Sequence, residues 1–480
     1  MDRDFDVVVV GSGGAGNSAA IMACDAGLNV LMLEAGSRIG GSTVLSGGVF
    51  MAGGTSVQRA AGIEDSTDSF YEFYMTANRW QLEPALVRAY CEGAGEFIEW
   101  AISLGVEYLP EQLYNSSIAS VARGHVPTGY GARFLEVLHG AATTRGTQVV
   151  THTRVERLLV EGGRVVGVHA DGQDIRAAAV ILACGGLGGA DKALLAEYYP
   201  DAIRHGDRHG HIGPDTNRGD AIPLGLGAGA VVARSTINRG LVSLAPDFDM
   251  NEAEGFLPAW LVFVNREGRR FMDEDAPYAV SGDIVNLQTD AVCFAIFDQE
   301  MFLNANGKGH FDTGMVGTEC PSWEHAMFEK NLAKGRIQTA DTLEALGAKI
   351  GVHPQALRNN IDRYNGFVEQ GHDAQFFKKM RGTVKVERGP FYATEVRAVT
   401  VPMSSVGLQV DARAQVHDGA DAPIPGLYAA GEAMGGVVGY YLGGGNGIGP
   451  PAVFGRIAGR SAADYVRARD AVTTDAMESA

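Results

Sequence analysis

The sequence predicts an α/β protein: a nucleotide-binding domain built on buried strands, interrupted by an inserted α+β lobe. Three observations carry that prediction. Residues 5–34 read as strand, glycine turn, helix, strand and acid. Glycine-rich strand-and-turn patterns of the same texture return at 177–189 and again at 424–449. Between them, from about 246 to 397, glycine thins out and charge and aromatics increase. The division that follows is 1–245 and 398–470 for the two parts of one domain, 246–397 for the inserted lobe, and 471–480 for a flexible polar tail.

Phe5 to Val10 is a β-branched apolar run, the pattern of a fully buried strand. It enters Gly11-Ser12-Gly13-Gly14-Ala15-Gly16, a G-x-G-x-x-G turn, and Ala15 to Ala26 then favours helix up to Gly27. A second apolar run, Val30 to Leu33, ends in Glu34. In this setting Gly11 permits the tight turn, Gly13 the approach of backbone amides to a pyrophosphate, and Gly16 close packing of helix on sheet. Glu34 is placed to accept a ribose hydroxyl. A lone turn of this type would be weak; strand, helix and acid around it make a dinucleotide site the better reading.

The next stretch, SRIGGSTVLSGGVFMAGG, is too polar for a strand and too glycine-rich for a helix. It reads as backbone lying against a flat ligand, with Ser42, Thr43 and Ser46 as hydrogen-bonding groups. Residues 84–104 read as an amphipathic helix with Pro84 in its first turn and Gly105 after its end, and 131–145 as another. Two apolar runs around Glu161-Gly162-Gly163-Arg164 signal a hairpin. AAAVILACGGLGG is a strand entering a glycine turn, and 339–370 reads as helix broken near Pro354. IPGLYAAGE repeats the strand-turn-acid pattern, ending at Glu432, and the loop at 441–449 feeds a helix whose first turn holds Pro450 and Pro451. That helix start aims amides and a positive dipole end at the loop's contents.

Composition bounds the function. The 480 residues carry a net charge of −18, which argues against nucleic acid or an anionic membrane surface as partner. Five cysteines, scattered and without a C-x-x-C, argue against a disulfide framework, a zinc ribbon and attached c-type haem. There is no signal-peptide pattern and no apolar run long enough to span a bilayer, so the expected location is cytoplasmic. His205, His209 and His211 invite a metal reading, but without acids at helical spacing a solvent-facing loop is preferred and no metal is expected. Cys184 reads as a small buried residue beside the ligand.

Taken in order, the fingerprint, GGSTVLSGG, VILACGG, NREGRRFMDE, GLYAAGE and GNGIGPPAVFGRIAGRSAA resemble the FAD-dependent oxidoreductases grouped with fumarate reductases and 3-ketosteroid dehydrogenases. The resemblance covers the chain to about residue 466 and implies a Rossmann-like FAD-binding domain with a capping, catalytic domain inserted. It implies that Glu34 holds the adenosine ribose, that Glu432 holds the ribityl chain, and that the Gly445–Gly449 loop lies by the flavin ring. Residues assigned to the cofactor are Gly11, Gly13, Gly14, Ala15 and Gly16 in the turn, then Glu34 and Ala35. Gly41, Ser42, Thr43, Ser46, Gly47 and Gly48 follow in the loop. Val155, Ala183, Gly185 and Asp220, then Gly431, Glu432, Asn446, Gly447 and Ile448, complete the set. The FAD is expected to be noncovalent, because GGSTVLSGG lacks the histidine that tethers flavin in membrane fumarate reductases.

Departures from the fumarate-type pattern separate the substrates. Leu442 stands where such enzymes carry a carboxylate-binding arginine, and Met403 where they carry a histidine. Their acid-donating arginine is missing after Arg270-Phe271-Met272-Asp273-Glu274. A dicarboxylate would be desolvated there without compensating charge. The same stretches resemble ketosteroid dehydrogenases instead. DEDAPY maps a catalytic tyrosine onto Tyr278; YLGGGNGIG maps a carbonyl-binding tyrosine onto Tyr441, with Tyr440 as neighbouring rival, and an amide donor onto Gly445. A third, supporting tyrosine has three candidates, Tyr108, Tyr114 and Tyr130. Arg269 and Arg270 read as structural partners of Asp273 and Glu274. The resemblance thus implies desaturation of a cyclic ketone, steroid-like or smaller, to the α,β-unsaturated ketone. Hydride passes to flavin N5, the α-proton to Tyr278, and electrons onward to an external acceptor. The alternative is a fumarate-reductase-like reduction of an activated C=C bond in an unsaturated acid or enone, with Arg239, Arg397 or His125 supplying a cation. A flavin-binding sensor or assembly factor is the non-enzymatic alternative.

Overall fold

The computed structural model describes residues 3–115, 118–203, 210–233, 241–245, 257–308, 319–401 and 406–478. Its contacts divide the chain into two compact units: Met1–Asp201, His211–Gly240 and Pro402–Ala480 in the first, Ala202–Gly210 and Leu241–Val401 in the second. The strand Leu241–Ala245 pairs along its length with Phe391–Val401, from Leu241 opposite Val401 to Ala245 opposite Arg397. That pairing joins the two ends of the second unit's main segment, Leu241–Val401.

In the first unit the central sheet runs in the order Pro423–Ala429, Gln173–Leu182, Phe5–Val10, Val30–Leu33, Gln148–Val150, all parallel. Val7 to Val9 and Ala178 to Leu182 are wholly buried, as expected for strands covered on both faces. The hairpin Val155–Glu161 and Arg164–Ala170 hangs from the Gln173–Leu182 strand. The helix Gly14–Asp25 packs against the long helix Gly449–Glu478. Small residues let them meet: a Cβ on Gly455 would overlap the Ala15 carbonyl, and one on Gly459 the Ala19 carbonyl. The backbone stays helical to Glu478, so residues 471–478 continue the helix instead of the polar tail expected from the sequence.

The second unit is a five-stranded sheet in which Phe391–Val401 pairs antiparallel with Leu241–Ala245, Val292–Asp298 and Ile337–Ala340, and Val262–Val264 pairs with Val292–Asp298. The stretch expected to be helical from 339 begins as the end of a strand; helices follow at Leu343–Lys349 and Pro354–Gln370, with Pro354 at the start of the second. The sheet's apolar face is filled by aromatic rings, with Phe297 stacked on Phe328 at 4.8 Å and on Tyr392 at 5.6 Å. The same unit holds four charged side chains, Arg270, Glu274, Asp373 and Lys378, all almost fully buried. Arg270 donates to Glu274 at 2.9 and 2.8 Å and to Asp373 at 3.0 Å; Lys378 lies 3.3 Å from Glu274. Arg270 is therefore a structural partner of Glu274, as the sequence suggested, while Asp273 accepts from the Asp275 amide at 2.8 Å and feels the charges of Lys378 and Arg270 from nearby.

Candidate functional site

The glycine turn takes the shape its residues require. Gly11 has φ 105°, and a Cβ there would overlap the Ala183 carbonyl; one on Gly16 would overlap the Gly11 carbonyl. The helix therefore starts directly at Gly14 with no side-chain cap. Glu34 is 6% exposed. It accepts from the Ser12 amide and hydroxyl at 3.1 and 2.5 Å and from the Gly36 amide at 2.7 Å. Thr43 accepts from the Gly14 amide at 3.0 Å, which joins the GGSTVLSGG loop to the start of the helix. Ser46 faces inward on its own loop, donating to Thr43 O and accepting from the Gly48 amide at 2.7 and 3.1 Å. Val155 and Ala183 are buried in the sheet and its hairpin. Asp220 is bonded to Arg154, and its carboxyl is pushed up by burial against the pull of that guanidinium. Burial, with Asp220 adding to it, pushes the Cys184 thiol up to about 12, so it stays protonated and unreactive at neutral pH.

A residue not singled out from the sequence joins this cradle. Asn217 is buried, its side-chain oxygen has no hydrogen-bond partner, and it packs against Gly185, which holds φ 83°. A buried acceptor left unsatisfied is costly and calls for a donor from outside the chain. Together with turns that no Cβ fits, this suits a dinucleotide such as FAD.

The C-terminal glycine loop is held by side chains from two helices, Thr67–Ala77 and Pro84–Leu104, and from the residue after the first of them. The Tyr74 hydroxyl donates to Val437 O at 3.0 Å, Asn78 accepts from the Tyr440 amide at 2.7 Å, and the Tyr90 hydroxyl donates to Met51 O at 2.6 Å. Met51 in turn donates its amide to Gly445 O at 3.4 Å, and Gly445 has φ 97°. Asn446 is buried, with its amide donating to Tyr440 O at 2.8 Å and its oxygen accepting from Leu442 N at 3.4 Å. Its side chain is used in shaping the loop. Leu442 is 1% exposed, a member of the main core. Gly431 begins a short turn, with φ 73°, whose next residue is Glu432; Tyr440 and Tyr441 are half-buried. Nothing in the sequence pointed to Tyr74, Asn78 or Tyr90, because their partners are backbone groups hundreds of residues away or in another loop.

His125 is wholly buried, and burial pushes its pKa down to about 4. Nδ1 faces Arg123 O at 2.9 Å and Phe50 O at 3.3 Å, so the neutral ring carries its proton there; Nε2 then accepts from the Thr55 hydroxyl at 2.8 Å. It is neutral and fully engaged at pH 7, and does not supply the cation considered for it. The unfolded histidine, at about 6.5, binds a proton first as the pH falls, so stability is lost between about 6.5 and 4 by up to about 3 kcal/mol. His125→Gln should flatten this limb of the melting temperature against pH. Equal slopes in parent and variant would show that His125 does not titrate this way.

Of the three supporting-tyrosine candidates, Tyr108 has a buried hydroxyl with no partner, its ring edge-on to His125 at 6.0 Å; Tyr114 is buried; Tyr130 is exposed. Tyr278 is the first residue of the helix Tyr278–Asn286, preceded by Pro277, and its side chain lies outside the described residues. Met403, His205, His209 and Arg239 also lie outside them. His211 bonds Pro214 O at 2.8 Å through its ring, and Arg397 bonds Glu395. Among the described residues there is no cluster of three or more His, Cys, Asp or Glu able to hold a metal, and no helix long and apolar enough to cross a membrane.

Comparison with known proteins agrees with this geometry. The FAD binding domain family matches residues 6–448. NADH:fumarate oxidoreductase of Klebsiella pneumoniae is 29% identical over 97% of this chain, which spans 48% of that protein, about half its length. The 4-oxocyclohexanecarboxylate 2-dehydrogenase of Sinomonas cyclohexanicum is 26% identical, over 97% of this chain and 94% of its own. The solved 3-ketosteroid-Δ4-(5α)-dehydrogenase of Rhodococcus jostii RHA1, in complex with 4-androstene-3,17-dione, superposes with a TM-score of 0.73. It is 28% identical over 96% of this chain and 98% of its own.

Proposed function

Because the chain belongs to the FAD-dependent oxidoreductase family that includes fumarate reductases and ketosteroid dehydrogenases, we propose that it desaturates a small cyclic ketone beside the carbonyl. The observation that carries this reading is Leu442, packed into the core next to Tyr441 where fumarate-type enzymes place an arginine. A fumarate-type carboxylate clamp is thus not built at that position, while the loop bearing Tyr441 and Gly445 is braced by Tyr74, Asn78 and Asn446. Ser12, Glu34, Thr43, Asn217 and the helix start at Gly14 would hold FAD, which when bound accepts the hydride lost from the β-carbon. The Tyr441 hydroxyl and Gly445 amide stabilise charge developing on the ketone oxygen, as in an oxyanion hole. Tyr278 takes the α-proton. With a reference pKa of about 10, it needs a lowered pKa or a relay to solvent, so the rate should rise toward alkaline pH.

A carboxylated cyclohexanone, the substrate in the name of the Sinomonas relative, is a small cyclic ketone of the kind this reading requires. The second reading, reduction of an activated C=C bond, is favoured by the likeness to the Klebsiella enzyme. A panel of cyclic ketones and enoates, scored by bleaching of the flavin band, separates the two. Ketones should bleach the oxidised protein, whereas fumarate should reoxidise the reduced protein more slowly than about one turnover per second; faster fumarate turnover favours the second reading. Tyr441→Phe should lower ketone turnover by about 10²–10³ if it is one of two oxyanion donors. A variant as fast as the parent would remove Tyr441 from the role.

A further inference from the structure

The helix Thr67–Ala77 ends in an unusual way. Asn78 is followed by Arg79 and Trp80, both at φ 55°, two consecutive side-chain-bearing residues in the left-handed region. Such residues seldom hold this conformation, and where a bulky one does, the surrounding structure over-determines it. Here the Arg79 amide bonds Thr76 O at 2.9 Å, the Trp80 amide Met75 O at 2.8 Å, and the Gln81 amide Asn78 O at 3.1 Å. The Trp80 ring meets Tyr71 edge-on at 6.1 Å.

The result is that the Arg79 guanidinium lies over the ring of Tyr440 at 4.9 Å. Asn78 fixes the same place from below through its bond to the Tyr440 amide. Arg79 is exposed and makes no ion pair among the described residues, although the chain carries 57 acidic residues against 39 basic ones. Among the described residues Arg3, Arg123, Arg154 and Arg270 each have a carboxylate partner. Arg79 instead has an aromatic face, which orients the guanidinium while leaving its donors available.

We propose that Arg79 determines substrate specificity: held on Tyr440, one residue from Tyr441, it receives a carboxylate carried by the substrate at a distance from the reacting carbonyl. The substrate class is therefore a cyclic ketone bearing one carboxylate, bound through a single arginine. This rests on the reading that the Tyr441 loop receives a ketone. Arg79 is a residue the sequence did not single out.

The test uses the FAD-loaded protein and two probes, cyclohexanone and cyclohexanecarboxylate, with affinities read from perturbation of the flavin absorbance. Arg79→Gln should shift the ratio of the two affinities by about ten-fold or more toward the neutral ketone. Arg79→Lys should recover part of the shift, and raised salt should weaken only the carboxylate in the parent. If the parent does not bind cyclohexanecarboxylate, or the ratio is the same in Arg79→Gln, the proposal is wrong. If the shift is found but no cyclic ketone bleaches the flavin, the anion site stands and the ketone reading falls. If ketones bleach the flavin while the ratio is unmoved, the reverse holds.

Discussion

Tyr278→Phe is expected to keep FAD and to bind a cyclic ketone, yet to lose about 10²–10⁴ in the rate of flavin bleaching, the usual range for a missing general base. A saturated carbon gives up hydride only as the neighbouring α-proton is removed, and phenylalanine has no atom to take it. A stopped-flow trace with excess ketone measures the step directly, and the affinity comes from its amplitude at varied ketone. The parent's rate should climb with pH, whereas the variant's residual rate should not follow that climb. If Tyr278→Phe bleaches as fast as the parent, the base lies elsewhere; Tyr108, with its unpartnered buried hydroxyl, is the next candidate.

Glu274→Gln should destabilise the second unit by about 3–5 kcal/mol, the cost of breaking a buried charge group by one member. Glu274 accepts from Arg270 and from the Phe263 amide at 3.2 Å, with Lys378 close by. Burial alone would push its carboxyl up, but Lys378 and Arg270 outweigh burial and hold it below the usual carboxylate range. Glutamine leaves two buried cations facing one carboxylate, Asp373, and turns an amide N–H₂ toward donors. The denaturant midpoint of the FAD-loaded protein is the measurement, and a change within about 0.5 kcal/mol, typical of a surface site, would contradict it. A carboxyl held low in the folded state contributes stability above its unfolded pKa and loses it as the pH falls, so the variant should lack that acid limb.

The dinucleotide cradle was legible from residues alone because its requirements are local. A turn without room for a Cβ, a helix starting inside it and an acid closing the next strand all lie within the first 34 residues, and the strands carry a run of buried apolar side chains. The helix at 84–104 was legible for a similar reason, since its proline start and glycine end act within one turn of it. The strand at 337–340 was missed because its partner is Phe391–Val401, and pairing of that kind leaves no periodic mark on a four-residue run.

Sequence by itself thus determined the cofactor class, the parallel core and the absence of an arginine at 442. These depend on residue type at fixed short spacing, where sterics and backbone hydrogen bonding leave few alternatives. Tertiary structure alone decided that Leu442 is core, that Asn446 shapes its own loop, that His125 is neutral, and that Lys378 and Asp373 join the Arg270–Glu274 pair. It alone brought Arg79 onto Tyr440, residues on opposite ends of the chain. In each case charge and hydrogen-bonding state depend on burial and on partners distant in sequence, and neither is a property of the residues taken in order.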